Sequence, residues 1–142
     1  MRNRILIDSG PLIALFHIGD NNHKAIHDFL KNHQYSFIST LAVFTEVSYF
    51  LSVSSKALQN FFEWVMHKGV IISDINQHDI PRIAELTKKY EDMPMDFADA
   101  TLVITAEKTG IREIISLDRD FEIYRLPGRE QILNKYRFNL SK

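Results

Sequence analysis

MPMDFADATLVITAE, residues 93–107, puts Asp96 and Asp99 at the head of an otherwise apolar stretch that closes on Glu107. Phe97, Ala98, Ala100, Leu102, Val103, Ile104 and Ala106 leave almost no polar stripe, and a helix apolar nearly all round belongs in the middle of a fold. Asp99 is the anomaly in it. An ionised side chain taken out of water must meet a cation, a donor or a water-filled cleft, or else become protonated. Asp96 lies one turn earlier on the same face. A cap would account for both, with Asp96 at the N-cap, Asp99 at N3 and Pro94 marking the boundary. Capping does not need two acids, so the question is whether other carboxylates arrive at the same place.

Working outward, Arg4-Ile5-Leu6-Ile7 reads as a buried strand that ends in Asp8-Ser9-Gly10-Pro11 and turns into a helix. Open α/β sheets present functional groups at the C-terminal ends of their strands, although Asp8 could also do no more than open the turn. After the break at Gly19 to Asn22, residues 23–33 form an amphipathic helix. Residues 35–39 make a second strand, and Thr40 is placed to cap a helix over residues 41–51. One acid, Glu46, interrupts that helix among neighbours as apolar as those of Asp99. A helix over residues 54–67, closed by Gly69, leads into a third strand at 70–72. A helix follows from Asp79, with Pro81 in its first turn. Phe61, Phe62 and Trp64 read as core, with a dimer contact as the other reading.

Beyond Gly110, Glu113-Ile114-Ile115-Ser116 repeats the pattern of a strand running into an acid, Asp118. Asp120 is read as a turn former that caps the next helical turn. This alternation of strands and helices predicts an α/β sandwich with a mainly parallel sheet, and its crossovers bring strand C-termini and helix N-termini to one edge. Asp8, Glu46, Asp99 and Asp118 can therefore converge.

The 142 residues, 45% hydrophobic and 25% charged, fit one globular domain over 1–142, with 126–142 a basic C-terminal segment. Cysteine is absent, which removes disulfides, thiol catalysis and thiolate metal sites. Any metal must be held by oxygen or imidazole. His23 and His27 stand four apart but lack both the glutamate of HExxH and a third ligand nearby, so they read as an exposed helix face. No signal peptide or membrane span is legible, and a cytoplasmic protein is expected. A net charge of −1 argues against a nucleic-acid-coating protein. Arg125, Arg129, Lys135, Arg137 and Lys142 nevertheless face only Glu130 and could touch phosphate.

Converging carboxylates repel, and they escape by protonation or by binding a divalent cation. Oxygen-only sites suit Mg²⁺ or Mn²⁺, the usual equipment of phosphodiester hydrolysis. No G-x-S-x-G elbow, P-loop or G-x-G-x-x-G offers other chemistry.

ILIDSGPLIALF (5–16), TEV (45–47), PMDFADA (94–100) and SLDRDF (116–121) resemble the four motifs of the PIN domain, in order and spacing over almost the whole chain. That family includes the ribonuclease toxins of VapBC toxin–antitoxin pairs. The resemblance implies a three-layer α/β/α sandwich. It makes Asp8, Glu46, Asp99 and Asp118 catalytic, metal-binding acids, puts Asp96 where many members carry a further acid near the metal, and gives Ser116 an orienting role. It further implies a Mg²⁺- or Mn²⁺-dependent endoribonuclease acting on single-stranded or looped RNA. Members are often homodimers, silenced by an antitoxin whose tail enters the acidic groove. Many toxins of the group are more basic than this chain.

Other classes remain at this point. A non-catalytic RNA- or protein-binding domain would keep the fold with lapsed chemistry, against which stands the presence of all four acids. An RNA-processing or DNA-directed nuclease would carry the same acids. An aspartate-nucleophile phosphotransferase would want an acid two positions after Asp8, where Gly10 stands.

Overall fold

A computed structural model describes residues 3–93 and 95–136. Strands β1 (Asn3–Ile7), β2 (Tyr35–Thr40), β3 (Val70–Ser73), β4 (Glu113–Ile115) and β5 (Leu133–Asn134) alternate with helices α1 (Ser9–Phe16), α2 (His23–Lys31), α3 (Leu41–Leu51), α4 (Ser55–Met66), α5 (Ile80–Lys89) and α6 (Phe97–Thr109). The result is a three-layer α/β/α sandwich, as expected. All strand pairs are parallel, in the order β3-β2-β1-β4-β5. Leu6 pairs with Ile38 on one side and Ile114 on the other, which makes β1 the centre of the sheet. The chain runs outward from β1 to β3, then returns across β1 to lay down β4 and β5. The strand order therefore reverses between β1 and β4, and a crevice opens at their C-terminal ends.

Ile5, Leu6 and Ile7 are fully buried, because a strand covered on both faces must be apolar throughout. α6 is buried from Ala98 to Ala106 and packs on β2 and α5, as its all-round apolar pattern predicts. Asp96 is its N-cap, accepting from Asp99 N at 2.8 Å, and Gly110 closes it in the left-handed conformation at φ 78°. Thr40 caps α3 by accepting from Val43 N at 3.3 Å. Its hydroxyl also lies 2.8 Å from that of Thr101, tying the start of α3 to α6.

Several expectations need correction. Phe97 is half exposed, because it sits in the first turn where α6 emerges from the core. α3 is not buried all round: Leu41, Thr45 and Tyr49 follow one another at four-residue spacing on an exposed face, with Phe50 exposed beside them. Phe61 is core and meets Phe16 and Phe44 edge-on or tilted, whereas Phe62 lies at the rim. Gly69 does not supply the left-handed residue that ends α4; Lys68 does, at φ 66°. Glycine is needed at 69 because a Cβ there would lie 2.1 Å from the Trp64 ring.

Asp120 does not cap. It begins the 3-10 turn Asp120–Glu122, which has no side-chain cap. Tyr124 just before the basic segment and Tyr136 within it are core residues, and Lys135 pairs with Glu113 at 3.6 Å, so that stretch is less open than its charge suggests. Pro94, Arg137 and Lys142 lie outside the described residues. Among the described residues no helix is long and apolar enough to cross a membrane.

Candidate acidic site at the sheet switch point

β1 ends by handing its hydrogen-bond ladder to the site. Asp8 N donates to Ile115 O at 3.0 Å, which locks the residue beside the end of β4. Its Oδ1 accepts from Ser9 N at 2.8 Å and its Oδ2 from the Ser116 hydroxyl at 3.0 Å, leaving only 4% of the residue exposed. The same Ser116 oxygen accepts from Asp118 N at 3.0 Å, so one small hydroxyl holds both the first carboxylate and the turn that carries the last. From the α6 side, Asp99 is also buried, and its Oδ2 accepts from the Tyr124 hydroxyl at 3.0 Å. Glu46 on α3 is half-buried, while Asp96 and Asp118 are exposed.

The protonation behaviour of these groups reports their mutual proximity. Burial first, then the charges of Asp118 and Glu46, raise Asp8 to a pKa of about 7, against the bonds from Ser9 and Ser116. Asp99 reaches about 8 by burial, with Asp8 and Asp96 adding to the rise and the Tyr124 bond opposing it. Glu46 is raised by burial and then by Asp96, with Ser9 opposing and Asp118 contributing. Asp8 thus feels the charges of Asp118 and Glu46, Asp99 those of Asp8 and Asp96, and Glu46 those of Asp96 and Asp118. Asp120 is likewise raised by burial and by the charges of Asp118 and Asp96. Among the described residues none of these acids is ion-paired to a Lys or Arg. An open groove of about 330 Å³, lined by Ala42, Thr45, Glu46, Asp96, Phe97 and Ala98, runs up to them.

The donor set suits a hard divalent cation, being all carboxylate and hydroxyl oxygen, and raised carboxyl pKa values are what a dication relieves. Among the described residues no three Asp, Glu, His or Cys side chains stand closely enough to hold an ion by themselves. His23, read as a non-ligand, is engaged elsewhere: its Nδ1 lies 2.7 Å from Ala14 O.

Two polar partners of the site escaped the sequence reading. Tyr124 and Asn134 look like ordinary members of a mixed, largely basic C-terminal stretch. Their partners lie 25 and 18 residues away, beyond any local pattern.

The PIN domain family model matches residues 5–126. Ribonuclease VapC26 of Mycobacterium tuberculosis (strain ATCC 25618 / H37Rv) is 23% identical over 117 residues, covering 81% of this chain and 87% of that protein. Among solved structures, VapC20 of Mycobacterium tuberculosis, described as a sarcin-ricin loop cleaving toxin, superposes with a TM-score of 0.75 at 18% identity. The match covers 84% of this chain and 93% of that one. A chain of a toxin–antitoxin complex from Klebsiella pneumoniae gives 0.63 at 20% identity, covering 87% and 93%. With a family match spanning all the clustered acids, and with the fold shared, this chain belongs to the PIN domain family.

Proposed function

We propose that the chain is a Mg²⁺- or Mn²⁺-dependent endoribonuclease and that Asp8 and Asp99 are its principal metal ligands, with Glu46, Asp96 and Asp118 completing the acidic set. The observation that carries this reading is a pair of buried carboxylates, unpaired by any Lys or Arg among the described residues and raised by burial and by the charges of neighbouring acids, at the reversal point of a parallel sheet. Bound there, the cation would lower the pKa of a water, steady charge on the phosphate and orient the leaving oxygen. Ser116 keeps the Asp8 carboxylate in one orientation, and Tyr124 does the same for Asp99. Glu46, its pKa raised by burial and by the charge of Asp96, lines the groove and is placed to take or hold a proton at its carboxylate.

RNA is favoured as substrate by the similarity to a ribonuclease, and a toxin role with a cognate antitoxin by the similarity to a chain of a toxin–antitoxin complex. A homodimer belongs to the same reading, because exposed Tyr49, Phe50 and Val53 offer apolar surface that a second copy would cover. Asp8→Asn and Asp99→Asn should each lower Mn²⁺-dependent RNA cleavage by about a hundredfold or more while the protein stays folded by circular dichroism. Parent-like cleavage by either variant would end the assignment.

A further inference from the structure

β5 is only two residues long, yet its second residue is a buried amide surrounded by site backbone. Asn134 Oδ1 accepts from Ser116 N at 3.2 Å and from Tyr136 N at 3.2 Å. Its Nδ2 donates to Ser116 O at 2.9 Å and reaches Asp118 O at 3.4 Å. One side chain therefore holds the N–H and the C=O of Ser116 together with the carbonyl of Asp118. Ser116 is the residue whose hydroxyl bonds the Asp8 carboxylate and accepts from Asp118 N. Only a primary amide can make this set, since it needs an acceptor and a donor on one planar group. An Asn buried to 3% exposure at the end of a two-residue edge strand is otherwise a poor choice for stability. It also lies beyond residue 126, where the family match ends.

We infer that Asn134 is a positioning residue of the acidic site: it clamps the turn from Ser116 to Asp118 so that the Asp8 and Asp118 carboxylates face a common cation. The inference rests on the metal-dependent reading above. Groups that orient a metal's ligands affect its affinity about 10- to 100-fold when removed, which sets the size of the expected effect.

The test titrates Mn²⁺ alone into the metal-free full chain and follows the rise in melting temperature, with RNA cleavage measured alongside. Asn134→Leu keeps the branching and removes every polar bond. Asn134→Ser leaves room for a water and protects against a variant that fails to fold. The expected result is a Mn²⁺ half-saturation raised about tenfold or more in both variants, and kcat lowered while KM for RNA stays as in the parent. Leu133→Ala, half exposed on the same strand, should change neither. Ser116→Ala combined with Asn134→Ser should cost little more than either alone, because both act through the same turn from Ser116 to Asp118. Folded variants that melt lower but keep the parent's half-saturation and kcat would make Asn134 a purely structural residue and overturn the inference. A parent chain that shows no response to Mn²⁺ would overturn the metal-dependent reading and this inference with it.

Discussion

Asp8 and Asp99 carry opposite consequences for stability and for function. Each has an ordinary pKa of 3.8 and is raised in the fold, to about 7 and about 8. Between about pH 4 and pH 8 the folded chain therefore holds protons that the unfolded chain has released, so stability falls as pH rises through that window. The metal-free protein should melt at a higher temperature near pH 5 than near pH 8, by differential scanning calorimetry. Asp99→Asn should flatten that dependence, since it removes one of the charges that burial disfavours. A melting temperature that rises steadily from pH 5 to pH 8 would contradict the assigned shifts. The proton is also what a cation must displace, and Mn²⁺ should bind more tightly as pH rises over the same interval.

At the scale of elements, local chemistry sets the boundaries and distant contacts set the tolerances. Thr40 and Asp96 cap α3 and α6 in the way their residue types favour, and both helix starts lie on the edge where the acids meet. Gly69 illustrates the other case. Lys68 carries the positive φ, while Gly69 is squeezed by Trp64, itself packed at 5.3 Å from Phe16 and 6.2 Å from Phe37. Gly69→Ala should cost about 1–3 kcal/mol in urea unfolding and shift Trp64 fluorescence. Cleavage per folded molecule should be kept, because Gly69 precedes β3 and so lies at the strand N-termini, opposite the acids. Parent-like stability would mean that the indole moves aside freely.

For the whole molecule, strand order decides where chemistry can sit. With β1 central and the order reversing toward β4, the C-termini of these two strands deliver Asp8 and Asp118 to one crevice, and α3 and α6 begin beside it. A cation bound only by the folded state stabilises it, by about 2.7 kcal/mol at a hundredfold excess over Kd. Millimolar Mn²⁺ should accordingly raise the melting temperature of the parent, and Asp8→Asn should abolish most of that rise. An unchanged melting point in the parent would point to a binding domain without metal chemistry.

Sequence alone determined the alternation of elements, the parallel sheet, the buried α6 and the presence of acids among apolar neighbours. Each of these rests on local periodicity or on a charge set among apolar neighbours, and both are written in consecutive residues. Leu41, Tyr49, Phe50 and Phe97 are exposed despite their apolar side chains, because apolar residues are common on surfaces too and residue type does not assign a face. Asp120 looked like a cap because its approach to Asp118 and Asp96 depends on how separate elements pack. β5 is too short to show a period, and Tyr124 and Asn134 reach their partners only once the C-terminal stretch has folded back against β4 and α6. Tertiary structure alone decided which oxygens of the site are held and by what, because a hydrogen bond between distant residues leaves no trace in the spacing of either.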